Sequence, residues 1–208
     1  KIFTVNLEII KTYLDLKDKM KIFFTIITTL FLFGCAGTNY KSLATNDPVK
    51  LIAMQDSLLK SGIKNPPLLQ ALTQAHNEVG LKALYVNDLK MANKHFQESL
   101  SFSPKDTTAQ YYQWITQGRL LMKTGKKNKI WDAIELFGKC DRLFPENGEH
   151  HYWTGRAYYK IGDKDFDLIL EAFLLATKKT LPHHLAEKAK IELKKQNDRK
   201  KKFADFWM

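Results

Sequence analysis

The sequence is poor in the features that would settle a function directly. Two cysteines, Cys35 and Cys140, in 208 residues are too few for a disulfide framework. Ten glycines, six prolines and no run of alternating β-branched residues argue against a sheet, and the chain reads as nearly all helix. No phosphate-cradling glycine loop, no Gly-x-Ser-x-Gly elbow and no paired-cysteine metal signature is present, so the residues call for neither an enzyme nor a cofactor. The uncharged apolar run Ile22–Phe33 is twelve residues long. As a helix it would rise about 18 Å, short of the roughly 30 Å hydrocarbon core of a bilayer. Acidic residues are also in deficit, 22 against 33 lysines and arginines, for a net charge of +11. The excess gathers late in the chain: Lys178–Lys202 holds ten basic residues against Glu187, Glu192 and Asp198.

The apolar run follows Met20 and Lys21, with Lys17 and Lys19 upstream, and it ends in Gly34-Cys35. A basic start, a short apolar core and a small residue before a cut have the layout of an export signal. Leu32-Phe33-Gly34-Cys35 resembles the lipobox of bacterial lipoproteins, with Phe33 standing where a small residue is usual. The resemblance implies a signal over 20–34, lipidation of Cys35 and a mature chain of 208 − 34 = 174 residues. The competing reading is a buried helix or strand of a globular domain. Residues 1–19 are then an upstream extension, and Ala36–Asn46 a polar tether. Asp47-Pro48 supplies an N-cap and a first-turn proline for N-terminal helices over 47–72. Gly62 ends the first of these, and Pro66-Pro67 opens a helix running to about Val86.

From there the chain repeats itself. Gln117–Gly125 (QGRLLMKTG) and Thr154–Gly162 (TGRAYYKIG) match in glycine, arginine, lysine and glycine, 37 residues apart. A weaker copy over Val79–Asn87 replaces the last glycine with asparagine, the other residue that tolerates the left-handed conformation ending a helix. An amphipathic segment follows each copy, and then Pro104, Pro145 or Pro182. Two helices per unit with a period in the thirties mark a helical solenoid.

The pattern resembles the tetratricopeptide repeat. His76, Gly80, Ala92, Phe96, Ser99 and Pro104 stand in its positions in one unit, and Trp114, Gly118, Leu121, Ala133, Phe137, Cys140 and Pro145 in the next. Gly155, Tyr158, Phe173, Ala176 and Pro182 form a looser third. The resemblance implies an all-α, tetratricopeptide-like solenoid of about three helix pairs over 73–182, with 183–208 as a basic capping helix and aromatic tail. Its glycines would allow close helix approach beside Phe96, Phe137 and Phe173, with Cys140 a buried, inert thiol.

The resemblance also implies a concave groove lined by first helices. Carried onto this chain, the groove residues are Asn77, Leu81 and Tyr85, then Ile115, Arg119, Met122 and Lys123, then Tyr152, Arg156, Tyr159 and Lys160. Arg119 with Lys123, and Arg156 with Lys160, are four apart and share a helical face. Such a stripe suits an acidic or extended peptide segment, because arginine holds carboxylates by paired hydrogen bonds. The alternative is ordinary solvated charge. Two adjacent histidine pairs, His150-His151 and His183-His184, sit near helix starts. Neighbouring side chains on a helix diverge and no ligand-spaced carboxylate accompanies them, so solvated histidines and no metal are expected. The tail Arg199–Trp207 joins four basic residues to Phe203, Phe206 and Trp207, which either touch a membrane or fold back on the last repeat. The expected protein is a lipid-anchored scaffold of the bacterial cell envelope that holds another envelope protein. Its address is the outer membrane, facing the periplasm, and it binds no nucleic acid. The alternative is an uptake accessory that takes a small anionic solute.

Overall fold

The computed structural model describes residues 36–60, 65–162 and 165–207. The expected leader, Cys35 and the helix end at Gly62 lie outside the described residues. Among those described the chain is all-helical, with ten helices and no strand. They are α1 Ala36–Asn46, α2 Pro48–Ala53, α3 Gln55–Lys60, α4 Pro66–Tyr85, α5 Leu89–Phe102, α6 Thr107–Lys123, α7 Lys127–Leu143, α8 Glu149–Ile161, α9 Phe166–Lys178 and α10 His183–Trp207. None of them is long and apolar enough to cross a membrane. The chain divides into two compact units, residues 1–71 and 72–208.

In the first unit the segment expected as a polar tether is helical. Its Ala44 is fully buried, as is Leu51 of α2, against which α1 packs, and Pro48 is buried beside them. One apolar side is enough to hold a segment that is polar in composition. Asp47 caps α2 by accepting the Lys50 amide at 3.1 Å, with Pro48 at the first helical position.

The second unit has a helical repeat-like fold, in which consecutive helices from α5 to α10 pack against one another and are joined by short turns. Aspartates cap three of its helices: Asp88 receives the Met91 amide, Asp106 that of Ala109 and Asp165 that of Leu168. Asn87 closes α4 with φ at +65°, the left-handed conformation that asparagine tolerates better than most residues. The same contact recurs in three helix pairs. A Cβ on Gly80 would lie 2.9 Å from the ring of Phe96, one on Gly155 3.0 Å from that of Phe173, and one on Gly118 closer still to that of Phe137. The missing side chain in α4, α6 and α8 is therefore the space into which the phenylalanine of α5, α7 and α9 inserts. All three rings are fully buried. Cys140 is buried as well, with Sγ 3.7 Å from the Tyr111 carbonyl, and burial pushes its thiol far above the reactive range.

The turn between α7 and α8 is pinned to the end of α9. The Gly148 amide donates to the Thr180 carbonyl at 2.7 Å, and the Thr180 amide to the Glu146 carbonyl at 3.0 Å. Only glycine allows this approach, because a Cβ at 148 would stand 2.6 Å from the Ala176 carbonyl oxygen. Helix α10 packs along α9 and α8, burying Leu185 and Ala189 against the cluster of Tyr152, Ile169 and Phe173. Its end divides: the Phe203 ring lies 5.5 Å from that of Phe166, while Phe206 and Trp207 remain exposed.

Candidate functional site

Helices α6 and α8 touch directly, and their matching faces open a groove of about 310 Å³. The spacing of four residues puts Arg119 and Lys123 on one face of α6, and Arg156 and Lys160 on one face of α8. All four line the cavity, over a floor of Leu89, Met122, Trp153 and Tyr159 and beside Asn87. Among the described residues, four cations and no carboxylate, histidine, serine or cysteine line it. The lining can hold an anion.

The four cations are not equivalent. The Arg119 guanidinium lies 4.2 Å from the centre of the Trp153 ring and donates to the Asn87 side chain at 3.0 Å. It is a packed, half-buried cation, and burial lowers its proton affinity. Arg156 donates to the Tyr152 hydroxyl at 3.3 Å and stands 3.6 Å from Glu192 of α10. Lys123 and Lys160 are exposed. The Tyr159 ring lies beneath Arg199 at 4.9 Å and Lys195 at 5.4 Å, so α10 adds positive charge to this side of the unit.

Five residues expected in the groove do not line it: Leu81 and Ile115 belong to the hydrophobic core, and three polar ones lie elsewhere. Tyr152 is buried in the core with its ring on Phe173, and it supports Arg156 from beneath. Asn77 donates to Asp106 at 3.1 Å and so braces the cap of α6. Tyr85 is partly exposed, with its ring edge-on to His184 at 4.8 Å. The expectation followed a helix face, whereas neighbouring helices decide which part of that face stays open.

Glu149 carries no warning in the sequence, because an acid in the first turn of a helix is ordinarily solvated and favoured by the helix dipole. Here it is fully buried, accepting the Trp153 indole N–H at 3.3 Å, and its second oxygen has no hydrogen-bond partner. Burial pushes its carboxyl up to about 7, while Trp153 and the charge of Arg119 pull the other way. Trp153 thus stands between a buried acid and a packed arginine.

The two histidine pairs differ. His183 and His184 are exposed. His150 is buried and His151 nearly so, and Asp141 of α7 faces both. This overturns the expectation of solvated histidines without a carboxylate nearby. Two helical neighbours diverge by about 100°, yet each turns its Nε2 toward Asp141, which the α7–α8 turn brings back across the start of α8. Burial depresses both imidazoles, that of His151 to about 4. No protein-family model matches the chain, and no curated protein is similar to it in sequence.

Proposed function

We propose that the protein is a membrane-tethered adaptor of the bacterial cell envelope, and that its α6–α8 groove holds an acidic, extended segment of another envelope protein. The observation that carries the reading is the pairing of Arg119/Lys123 with Arg156/Lys160 around one cavity with an aromatic floor. A carboxylate-bearing peptide gains charge-assisted hydrogen bonds from such a wall and apolar contact from Trp153 and Tyr159. In this reading α4/α5, α6/α7 and α8/α9 are tetratricopeptide-like units and α10 is their cap. The recurring Gly–Phe contact, the 37-residue register and the prolines after each second helix support it. The lipid anchor rests on the lipobox resemblance at Leu32–Cys35.

Two experiments test the reading. A fluorescent Glu-rich peptide titrated onto the protein should bind in a salt-sensitive way, and a Lys123→Glu/Lys160→Glu double variant should lose that binding. Both lysines are exposed, so the fold survives their change. No binding, or binding that ignores the double variant, overturns the groove. Tight uptake of a small dicarboxylate in preference to the peptide favours the solute-binding alternative. Mass analysis of protein extracted from membranes, beside Cys35→Ala, tests the anchor: a lipidated N-terminus at Cys35 that the variant lacks is the expected result.

A further inference from the structure

Away from the groove, Asp141, His150 and His151 bring three metal-type ligand atoms within 4.8 Å of one another, the one such trio among the described residues. Two edges of the triangle are measured. Asp141 Oδ1 lies 3.1 Å from His150 Nε2 and 3.5 Å from His151 Nε2. Ligands held at about 2.0–2.1 Å around a tetrahedral zinc ion are themselves about 3.3–3.4 Å apart. The measured edges bracket that spacing. The nitrogen–nitrogen edge is within 4.8 Å, and the less deeply buried His151 ring is the one with room to adjust it.

The surroundings are those of a ligand set. His150 Nδ1 is 3.3 Å from the Tyr111 hydroxyl, a partner that orients the ring and leaves Nε2 directed at Asp141. Metal-bound histidines ordinarily have such a partner on the second nitrogen. His151 Nε2 is shielded from solvent yet makes no hydrogen bond, which is uncommon for a buried polar atom. The side chain of Asp141 is half exposed, so an ion has a way in and a fourth position beside water. The backbone holds the triangle together, because the α7–α8 turn is tied to Thr180 on both sides of the approach at Gly148.

One group competes for the carboxylate. Lys179 Nζ lies 3.6 Å from Asp141 Oδ1 and also donates to the Pro145 carbonyl, where it can stay when a metal takes the aspartate.

We propose that Asp141, His150 and His151 form a binding site for Zn²⁺ or a chemically similar divalent transition-metal ion, with the fourth position open to solvent. Two imidazoles and one carboxylate favour zinc over the all-oxygen preferences of Mg²⁺ and Ca²⁺. A bound ion ties the last turns of α7 to the first turn of α8. The site is independent of the groove, and neither proposal stands or falls with the other.

Calorimetric titration of ZnCl₂ into the full chain, prepared without a polyhistidine tag, tests it. One ion per chain is expected, with a Kd on the order of 1 μM. Asp141→Asn and His151→Ala should each weaken binding by about tenfold or more, Lys179→Gln should tighten it, and MgCl₂ and CaCl₂ should give no saturable heat. His183→Ala/His184→Ala controls for adventitious histidine binding and should leave the affinity unchanged. No saturable zinc binding overturns the proposal. So does binding unaltered in Asp141→Asn and His151→Ala proteins whose circular dichroism matches the parent.

Discussion

The chain carries the dipeptide His-His twice at the start of a helix, and the two copies live in opposite surroundings. His183-His184 opens α10 exposed, with His184 resting on the edge of Tyr85. His150-His151 opens α8 under cover, between Tyr111 of α6 and Asp141 of α7, with Lys179 from the end of α9 facing the same carboxylate. The dipeptide and its place in the helix are the same. What differs is whether other helices close over it, and that alone turns one pair into solvated side chains and the other into a buried polar cluster.

The comparison is broken most strongly by opening the cover. Phe137→Ala empties the contact that draws α7 onto α6 at Gly118, and should cost about 3–5 kcal/mol by urea denaturation. Next comes the buried member itself. His150→Ala leaves a cavity and strips the Tyr111 hydroxyl and Asp141 of a partner, and should cost about 2–4 kcal/mol.

Glu149, beside this pair, gives a gain instead of a loss. Its carboxyl is raised by burial from the ordinary range to about 7, so the folded state keeps a proton that the unfolded chain releases. Stability falls as pH rises through that window, and Glu149→Gln should recover on the order of 1–3 kcal/mol at pH 8 while giving no gain near pH 4. The histidines have the opposite sign. Burial depresses His151, and also His76, to about 4, so their contribution is present above pH 6.5 and lost as pH falls toward 4. His151→Gln should flatten that acid limb in urea midpoints taken at pH 7 and pH 4.5. At the small end, His183→Ala should change stability by no more than about 0.5 kcal/mol in the same urea assay at pH 7, the mark of an exposed surface position.

Much of the local organisation is legible along the chain. Pro66-Pro67 places the start of α4, and the Asn87 that stands where the other copies have glycine takes the left-handed turn such a substitution requires. The recurrence of glycine and phenylalanine anticipates the three close contacts, because only a missing Cβ leaves room for a ring. The basic pairs of α6 and α8 are legible too, since four-residue spacing fixes a shared face in any helix. Ala36–Asn46 is a helix and not a tether because composition understates what one buried alanine can hold. Periodicity names a helix face and not its neighbour, which is why Tyr152, Asn77, Tyr85, Leu81 and Ile115 read as groove residues along the chain. Glu149 and Asp141 are illegible along the chain for the same reason: an acid near a helix end looks solvated until another helix covers it.

By itself, then, the sequence determined that this chain is helical, where its turns and caps fall, and that two like-charged pairs recur in register. Those properties depend on backbone preferences and on spacing within a few residues, which local chemistry specifies. Tertiary structure alone decided that Arg119 packs on Trp153 above a buried Glu149, and that Asp141 meets two histidines that an isolated helix would splay apart. Such meetings depend on where separate helices cross, and crossing is set by the packing of buried side chains rather than by the order of residues along any one of them.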